Sequence, residues 1–178
     1  MSVELVETTF ELNGTAVTVR VPADRALLDV LRDECGITST RGSCGLGVCG
    51  TCTVLLDGRA ASACLLLAAQ VDGRAVTTSE GLAHGRELSR VQQAFVDCGA
   101  YQCSYCIPAM TVMIESLLRT NPDAGVDEVR HHLQGNLCRC GTYPQVLRAV
   151  AEMVRPGDER PDRAGSGSRR GQASEEWQ

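Results

Sequence analysis

Apolar and polar residues alternate near the start of the chain in the manner of short β-strands. Residues 3–12 and 15–21 are rich in Val, Thr and Phe. Asn13 and Gly14 stand between them, and this pair is a strong signal for a two-residue hairpin turn. The pattern predicts that the chain opens with a β-hairpin.

A helix and further strands are predicted next. Asp24 precedes residues 25–32, whose apolar spacing fits a short amphipathic helix, and Gly36 is a suitable stop. Residues 53–56 and 75–77 again have the composition of strands. We therefore expect a small mixed sheet crossed by one helix.

From about residue 85 the apolar period changes from two residues to 3.6, which is the period of an α-helix. Four stretches each place their apolar residues on one helix face. The sequence predicts four short helices that pack as a four-helix bundle. These apolar positions are Leu88, Val91 and Phe95; Met110, Ile114, Leu117 and Leu118; Val129 and Leu133; and Val146, Leu147, Val150 and Val154.

The expected fold class is therefore α+β, with two domains in sequence. Residues 1–80 form the sheet-containing domain and residues 81–155 form the helical domain. Residues 156–178 are polar and rich in Gly and Ser, with almost no apolar side chains to bury, and we expect a disordered tail there.

Charge and hydropathy exclude several classes of function. The net charge is −5, and no basic stripe with interleaved aromatics is present, so nucleic acid is a poor candidate partner. No apolar run is long enough for a membrane span, and the start of the chain lacks the features of a signal peptide. We expect a cytoplasmic protein.

The chain contains ten cysteines, and a reducing cytosol does not maintain structural disulfides. Metal binding is the natural explanation. The cysteines fall into two groups of four, and Cys35 and Cys98 stand apart from both. These two are expected to be small buried apolar residues rather than ligands.

The first group follows the spacing of plant-type ferredoxins, C-x4-C-x2-C and a distant fourth cysteine, which binds a [2Fe–2S] cluster. Glycines throughout this loop would let backbone N–H groups approach sulfur. The alternative is a zinc knot, which normally prefers paired C-x2-4-C knuckles. The predicted ligands are Cys44, Cys49, Cys52 and Cys64.

The second group combines a C-x2-C pair near the start of one helix with a C-x-C pair just before another. Pro108 suits the first helical turn after Cys106, where free N–H groups favour thiolates. On ligand type alone, zinc is a serious rival to an iron–sulfur cluster here. The predicted ligands are Cys103, Cys106, Cys138 and Cys140.

Along nearly all of residues 3–155 the chain resembles the small iron–sulfur subunit of the molybdenum hydroxylases, the family of xanthine dehydrogenase, aldehyde oxidoreductase and aerobic carbon monoxide dehydrogenase. Five motifs carry the resemblance in the family's order: residues 44–52, 53–58, 79–82, 102–108 and 135–140.

The resemblance implies a β-grasp, ferredoxin-like domain with one [2Fe–2S] cluster and a four-helix domain with the other. It further implies a large subunit with a molybdenum–pterin cofactor beside the second cluster, and a medium subunit with FAD toward the first. Gln102 matches a glutamine that contacts the pterin across the interface. The assembly implied is a dimer of heterotrimers.

The chain departs from the family's pattern at several places. The family usually has glycine at the positions of Ser104 and Ala109, and commonly has acidic residues at those of Leu46 and Val48. It usually reads Thr-Gly where this chain has Gly141-Thr142. None of these changes removes a ligand, but together they suggest altered cluster packing and potential.

The expected function is therefore electron transfer. Electrons would leave the molybdenum centre singly through the second cluster and then the first, toward flavin or an external acceptor. The chain shows no nucleotide-binding loop and no acid–base constellation, so it is expected to carry no substrate chemistry. A free-standing two-cluster carrier and a non-enzymatic regulator are the alternatives.

Overall fold

The computed structural model describes residues 5–154. The predicted tail at residues 156–178 lies outside this range.

The opening hairpin is confirmed. Strand β1 (Leu5–Leu12) pairs antiparallel with β2 (Thr15–Pro22) along its whole length. Asn13 and Gly14 have φ angles of 53° and 82°, as a tight hairpin turn of matching twist requires. Burial alternates along β1, so one face of the hairpin points into the core.

The predicted first helix is present, but it begins two residues later than expected and changes type. Helix α1 (Leu27–Asp29) continues as a π-helix over Val30–Glu34. No side chain caps its start: Ala26 precedes it and forms an isolated β-bridge with Leu67, and the Leu27 N–H donates to the Leu66 carbonyl. A neighbouring segment thus binds the N–H groups that a cap would otherwise satisfy.

Three short strands complete a five-stranded sheet of order β2-β1-β5-β3-β4. They are β3 (Thr53–Leu56), β4 (Arg59–Ser62) and β5 (Ala75–Thr77). Strand β5 runs parallel to β1 and antiparallel to β3. The sequence did not single out β4, because its residues are small or polar and the pairing with β3 alone makes it a strand.

All four residues of β3 are buried, although strands with one wet face usually alternate. Val54 and Leu56 pack in the core that also contains Leu27 and Leu31 of the α1 segment. Leu55 points to the other face and packs against Val112. The sheet is therefore covered on both sides, once by α1 and once by a helix from the second half of the chain.

The four predicted helices are present in that second half. They are α2 (Arg90–Asp97), α3 (Ile107–Thr120), α4 (Val126–His132) and α5 (Tyr143–Val154). Helices α2 and α4 each pack against both α3 and α5. Their shared core contains the predicted Val91, Phe95, Met110, Ile114, Val129, Leu133, Val146 and Val150.

One position of the predicted helical faces is wrong. Leu88 is exposed and precedes α2, whose N-cap is Ser89. The Ser89 hydroxyl accepts the Gln92 N–H, and the Gln92 side chain accepts the Ser89 N–H. This reciprocal cap starts the helix after Leu88 and leaves that side chain outside the core.

Candidate iron–sulfur sites

The first cysteine group lies on the loop between α1 and β3, together with Cys64 just after β4. Cys49 and Cys52 are buried, and Cys44 and Cys64 are half-buried. Gly47 shows why the loop is glycine-rich: its φ is +71°, and a Cβ there would overlap the side chain of Leu65. The left-handed backbone favours glycine, and a larger residue would also require the exposed Leu65 side chain to move.

Backbone N–H groups converge on the Cys44 sulfur. Leu46 N lies 3.3 Å from Cys44 Sγ, and the N–H groups of Cys49 and Val48 also donate to it. The donation from Leu46 contributes most, and the set lowers the pKa of Cys44 to about 6. The loop therefore stabilises a thiolate, the form in which cysteine binds iron.

The four thiols of this group lie next to each other in twos: Cys49 acts on the pKa of Cys44, and Cys64 acts on the pKa of Cys52. Burial raises the pKa of Cys52 to about 11. A buried thiol of this kind ionises readily only when a cation replaces its proton. The Thr51 hydroxyl, which lies 3.2 Å from Cys49 Sγ, is a further group at the site that the sequence did not single out.

The second group is assembled from the ends of two helices. Cys103 and Cys106 precede α3, whose N-cap is Cys106 and whose first turn contains Pro108, as predicted. Cys138 and Cys140 precede α5. The thiols again pair, Cys103 with Cys140 and Cys106 with Cys138.

The two pairs of the second group differ in exposure. Cys103 and Cys140 are exposed, whereas Cys106 is buried. Burial is the largest cause that raises the pKa of Cys106 to about 12. The Tyr105 N–H donates to Cys103 and is the largest cause that lowers the pKa of that thiol. One side of this site therefore faces outward and the other faces the helical core.

Tyr143 holds the second cysteine loop, a role that no motif in the sequence indicated. Its hydroxyl donates to the Asn136 carbonyl and accepts the Cys138 N–H, at 2.6 and 2.9 Å. The Thr142 N–H lies 3.4 Å from Cys138 Sγ. A tyrosine in the first turn of α5 thus fixes the loop that carries two of the four thiols.

The two sites adjoin each other. The Leu137 N–H donates to the Cys49 carbonyl at 2.9 Å, and Asn136 Nδ2 donates to the Gly50 carbonyl at 2.9 Å. A cavity of about 640 Å³ is lined by Cys49 from the first group and by Cys103, Cys106 and Cys138 from the second. The hydrogen bond between Leu137 and Cys49 therefore joins a cysteine of the first group to the residue that precedes Cys138 of the second group.

The remaining predicted residues lie as follows. Gln102 is exposed beside the second group, and its side-chain amide donates to the Cys140 carbonyl at 3.2 Å. Cys35 and Cys98 belong to neither group, and they are half-buried at the edges of the two cores rather than buried as expected.

Within residues 5–154, no three Cys, His, Asp or Glu side chains converge closely enough to ligate a single metal ion. Within each group the two pairs lie near each other, because Cys49 also raises the pKa of Cys52 and Cys103 also raises the pKa of Cys106. Two adjacent pairs of thiolates are the donor set of a binuclear cluster, in which each iron takes two cysteines. The residues present therefore fit [2Fe–2S] clusters by number, chemistry and arrangement.

None of the helices within the described range is long and apolar enough to cross a membrane.

Two family descriptions match the chain and together span most of it. Residues 10–83 match a 2Fe-2S iron-sulfur cluster binding domain, and residues 78–151 match a [2Fe-2S] binding domain. The two matches contain the first and second cysteine groups respectively. The chain therefore binds two [2Fe–2S] clusters.

Curated relatives are subunits of oxidoreductases. The chain is 40% identical over 143 residues to the nicotinate dehydrogenase small FeS subunit of Eubacterium barkeri, with 80% of this chain and 91% of the relative covered. It is 43% identical over 147 residues to the nicotine 6-hydroxylase small subunit of Paenarthrobacter nicotinovorans, with 83% and 88% covered.

Solved structures agree. Quinoline 2-oxidoreductase from Pseudomonas putida 86 matches with a TM-score of 0.81 and 38% identity, over 84% of this chain and 93% of that chain. Aldehyde oxidoreductase from Desulfovibrio desulfuricans matches with a TM-score of 0.79 and 36% identity, over 83% of this chain but only 17% of that longer chain. With its two cluster-binding domains and these relatives, the chain belongs to the family of small iron–sulfur subunits of the molybdenum hydroxylases.

Proposed function

We propose that each cysteine group binds one [2Fe–2S] cluster of this electron-transfer subunit. Cys44, Cys49, Cys52 and Cys64 would hold the first cluster, and Cys103, Cys106, Cys138 and Cys140 the second. The observation that carries this proposal is the gathering of eight thiols into two sets of two pairs. Backbone N–H groups directed at Cys44 and Cys103 add support, because they would stabilise an anionic cluster.

The ligand assignment is tested by metal content and spectroscopy of the purified chain. We expect about four iron atoms and as many labile sulfides per chain, two of each for every cluster. On reduction, two distinct paramagnetic signals should appear. Colourless protein that contains zinc would contradict the assignment.

Serine substitutions then assign each signal to one group. Cys52→Ser should remove or strongly disturb only the first signal, and Cys106→Ser only the second, because alkoxide oxygen is a poor substitute for thiolate in such clusters. Cys35→Ala and Cys98→Ala are the matched controls and should retain both signals. Loss of a cluster in either control would show that a ligand has been misassigned.

We further propose that the finer architecture follows the same family. The sheet of residues 1–80 is interpreted as a β-grasp, ferredoxin-like domain, and residues 81–155 as a four-helix bundle domain. The strand order and the mutual packing of α2 to α5 support this interpretation. The cytoplasm is the proposed location.

A large molybdenum-cofactor subunit is the proposed partner at the second site. The exposed side chains of Tyr105 and Leu137 line the same cavity as Cys103, and Tyr101 is exposed two residues before Cys103. Exposed apolar groups around a functional centre are typical of an interface. Gln102 lies in this surface and is proposed to contact the pterin.

A medium subunit with FAD, or an external acceptor, is proposed to receive electrons from the first site. Leu46 and Val48 are 73% and 65% exposed on the first cysteine loop, and Leu65 beside them is also exposed. These side chains would be unfavourable in water but suitable at a protein interface. The complete assembly is proposed to be a dimer of heterotrimers.

The clusters supply single-electron transfer, and the chain supplies their spacing and environment. The Leu137–Cys49 hydrogen bond and the Asn136–Gly50 hydrogen bond hold the two loops at a fixed separation. Tyr143 fixes residues 136–138 and Arg41 fixes the Cys103–Cys106 segment, so each of the two segments that carry the second group is held separately. Electrons are proposed to enter at the exposed second site and to leave at the first.

Partnership is tested by co-expression with the large and medium subunits from the same host, followed by size exclusion. Co-elution of the three chains and reduction of both clusters by substrate are the expected results. A double variant, Tyr101→Asp with Leu137→Asp, should reduce co-elution with the large subunit, whereas Leu46→Asp should not. A chain that elutes alone and exchanges no electrons with the partners would favour a free-standing carrier.

A further inference from the structure

Arg41 belongs to the first half of the chain by sequence, but its side chain is directed to the second cysteine group. Its own backbone N–H donates to the Thr51 carbonyl at 3.4 Å, which anchors it beside the first loop. Its guanidinium Nη1 donates to the Ser104 carbonyl at 2.5 Å. Ser104 lies in the chain between Cys103 and Cys106 of the second group.

Tyr105 completes a reciprocal connection between the two loops. The Arg41 guanidinium lies over the Tyr105 ring, 5.3 Å from its centroid. The Tyr105 hydroxyl in turn donates to the Gly42 carbonyl at 2.5 Å. Two hydrogen bonds of opposite direction and one cation–π contact therefore join residues 41–42 to residues 104–105.

The Ser104 backbone requires such support. Its φ of +62° is left-handed, a region that is strained for a residue with a Cβ. The charge-assisted bond from Arg41 fixes the carbonyl orientation that this backbone produces. The same bond therefore helps to hold Cys103 and the Tyr105 N–H that donates to it.

The charge of Arg41 acts in the same place. Cys103 is exposed, whereas Arg41 is half-buried between the two loops, where its charge is screened less than on the open surface. A positive charge near an iron–sulfur cluster favours the reduced, more negative state, and hydrogen bonds around the cluster act in the same direction.

We propose that Arg41 is a positioning and tuning residue of the second cluster: it holds the Cys103–Cys106 loop and raises the reduction potential of the cluster bound there. The inference rests on the proposed cluster sites. It means that a residue of the first loop sets the driving force for transfer from the second cluster to the first.

The test measures the potentials of both clusters by redox titration followed by electron paramagnetic resonance. Arg41→Gln should disfavour one-electron reduction of the second cluster about tenfold in its equilibrium constant. This corresponds to a reduction potential lower by about 59 mV. The potential of the first cluster should change much less. Arg41→Lys, which keeps the charge, should retain most of the potential.

Arg148→Gln is the matched control, because Arg148 Nη2 also donates to a loop carbonyl, that of Cys98, at 3.1 Å. It removes the same charge and one similar bond, and should leave both potentials near those of the parent protein. Equal shifts in Arg41→Gln and Arg148→Gln, or a shift confined to the first cluster, would overturn the proposal.

Assembly gives a second readout. If Arg41→Gln loses only the second cluster, the positioning role is supported. If Arg41→Gln loses both clusters, Arg41→Lys is measured instead. A second-cluster potential and signal shape equal to those of the parent protein then support the proposal. Equal shifts in the potentials of both clusters contradict it. Absence of the second cluster from the parent protein would instead refute the proposed function.

Discussion

At the scale of single residues, Ser104 shows how a departure from the family's pattern is accommodated. The resemblance implies glycine at this position, and the backbone explains why: φ is +62°. Serine tolerates this backbone because Arg41 binds the Ser104 carbonyl. The departure therefore adds local strain at a position whose carbonyl is held by Arg41.

Ser104→Gly should consequently stabilise the protein. Relief of the left-handed strain, less the greater chain entropy of glycine, predicts a gain of about 0.5–1 kcal/mol. For a chain of this size that corresponds to roughly 1–4 °C in the midpoint of thermal unfolding. Ser104→Ala keeps the Cβ and should show no such gain; an equal gain in both variants would contradict the strain argument.

The positions of Cys35 and Cys98 in the sequence show that they are not ligands by spacing, but not how far they are buried. Their exclusion from both groups follows from sequence spacing, and the structure places each beside a core. Burial is the main cause that raises the pKa of the Cys35 thiol. Their half-exposed state depends on neighbouring elements, which spacing along the chain does not reveal.

At the scale of elements, Glu80 connects the end of β5 with the segment that leads to the first cysteine loop. Its carboxylate accepts hydrogen bonds from the Ser39 N–H and hydroxyl and from the Thr78 hydroxyl. Desolvation raises the pKa of Glu80, but the bonds from Ser39 and Thr78 outweigh it and lower the pKa overall. The ionised carboxylate therefore holds Ser39 against residues 78–80.

This contact predicts an acid-sensitive contribution to stability. Because the folded pKa lies below the unfolded value, the contribution is present above the unfolded pKa of about 4.3 and is lost as pH falls through the folded pKa. Glu80→Gln should cost about 1 kcal/mol at pH 7, an estimate discounted for partial exposure.

Denaturation from pH 7 to pH 3 checks this contribution. The difference between the parent protein and Glu80→Gln should shrink as the carboxylate is protonated. Glu115→Gln, on the partly exposed side of α3, is the control and should show a smaller difference at pH 7. A difference that stays constant down to pH 3 would contradict the role assigned to ionisation.

Elements differ in how far local sequence specifies them. The hairpin, the helix after it and the four later helices follow from local periodicity and turn residues, and all are present. Strand β4 and the true start of α1 do not follow, since pairing with β3 and with residues 63–67 creates them. Local sequence lacks the information that a distant partner supplies.

At the scale of the whole molecule, the two halves meet at Gly50. Its φ is +67°, and a Cβ there would overlap the Gly135 carbonyl and crowd Asn136. The neighbouring hydrogen bonds, Asn136 to Gly50 and Leu137 to Cys49, require this close approach. Glycine at this position thus permits the contact between the two cysteine loops.

Gly50→Ala should therefore separate the loops. Backbone strain and overpacking together predict a loss of about 3 kcal/mol. Gly73→Ala is the control, because its φ is +69° but nothing lies within 4 Å of the added Cβ, so only the strain of about 1–2 kcal/mol applies.

Thermal unfolding and iron content of the loaded proteins give the comparison. The midpoint of Gly50→Ala should lie below that of Gly73→Ala, and any magnetic interaction between the two reduced clusters should weaken in Gly50→Ala alone. Equal midpoints in the two variants would mean that the loops are not held together at Gly50.

The sequence by itself determined the chemistry of this protein: eight thiols in two spaced groups, glycines that allow N–H groups to approach sulfur, and the motifs of the family. These are local properties, because ligand spacing within a loop and turn conformation are encoded by adjacent residues. Only the tertiary structure decided how the groups relate to each other. Arg41 meets Ser104 across 63 positions and Asn136 meets Gly50 across 86, and such contacts arise when both halves pack around β3 and α3, whose buried faces no single segment could specify.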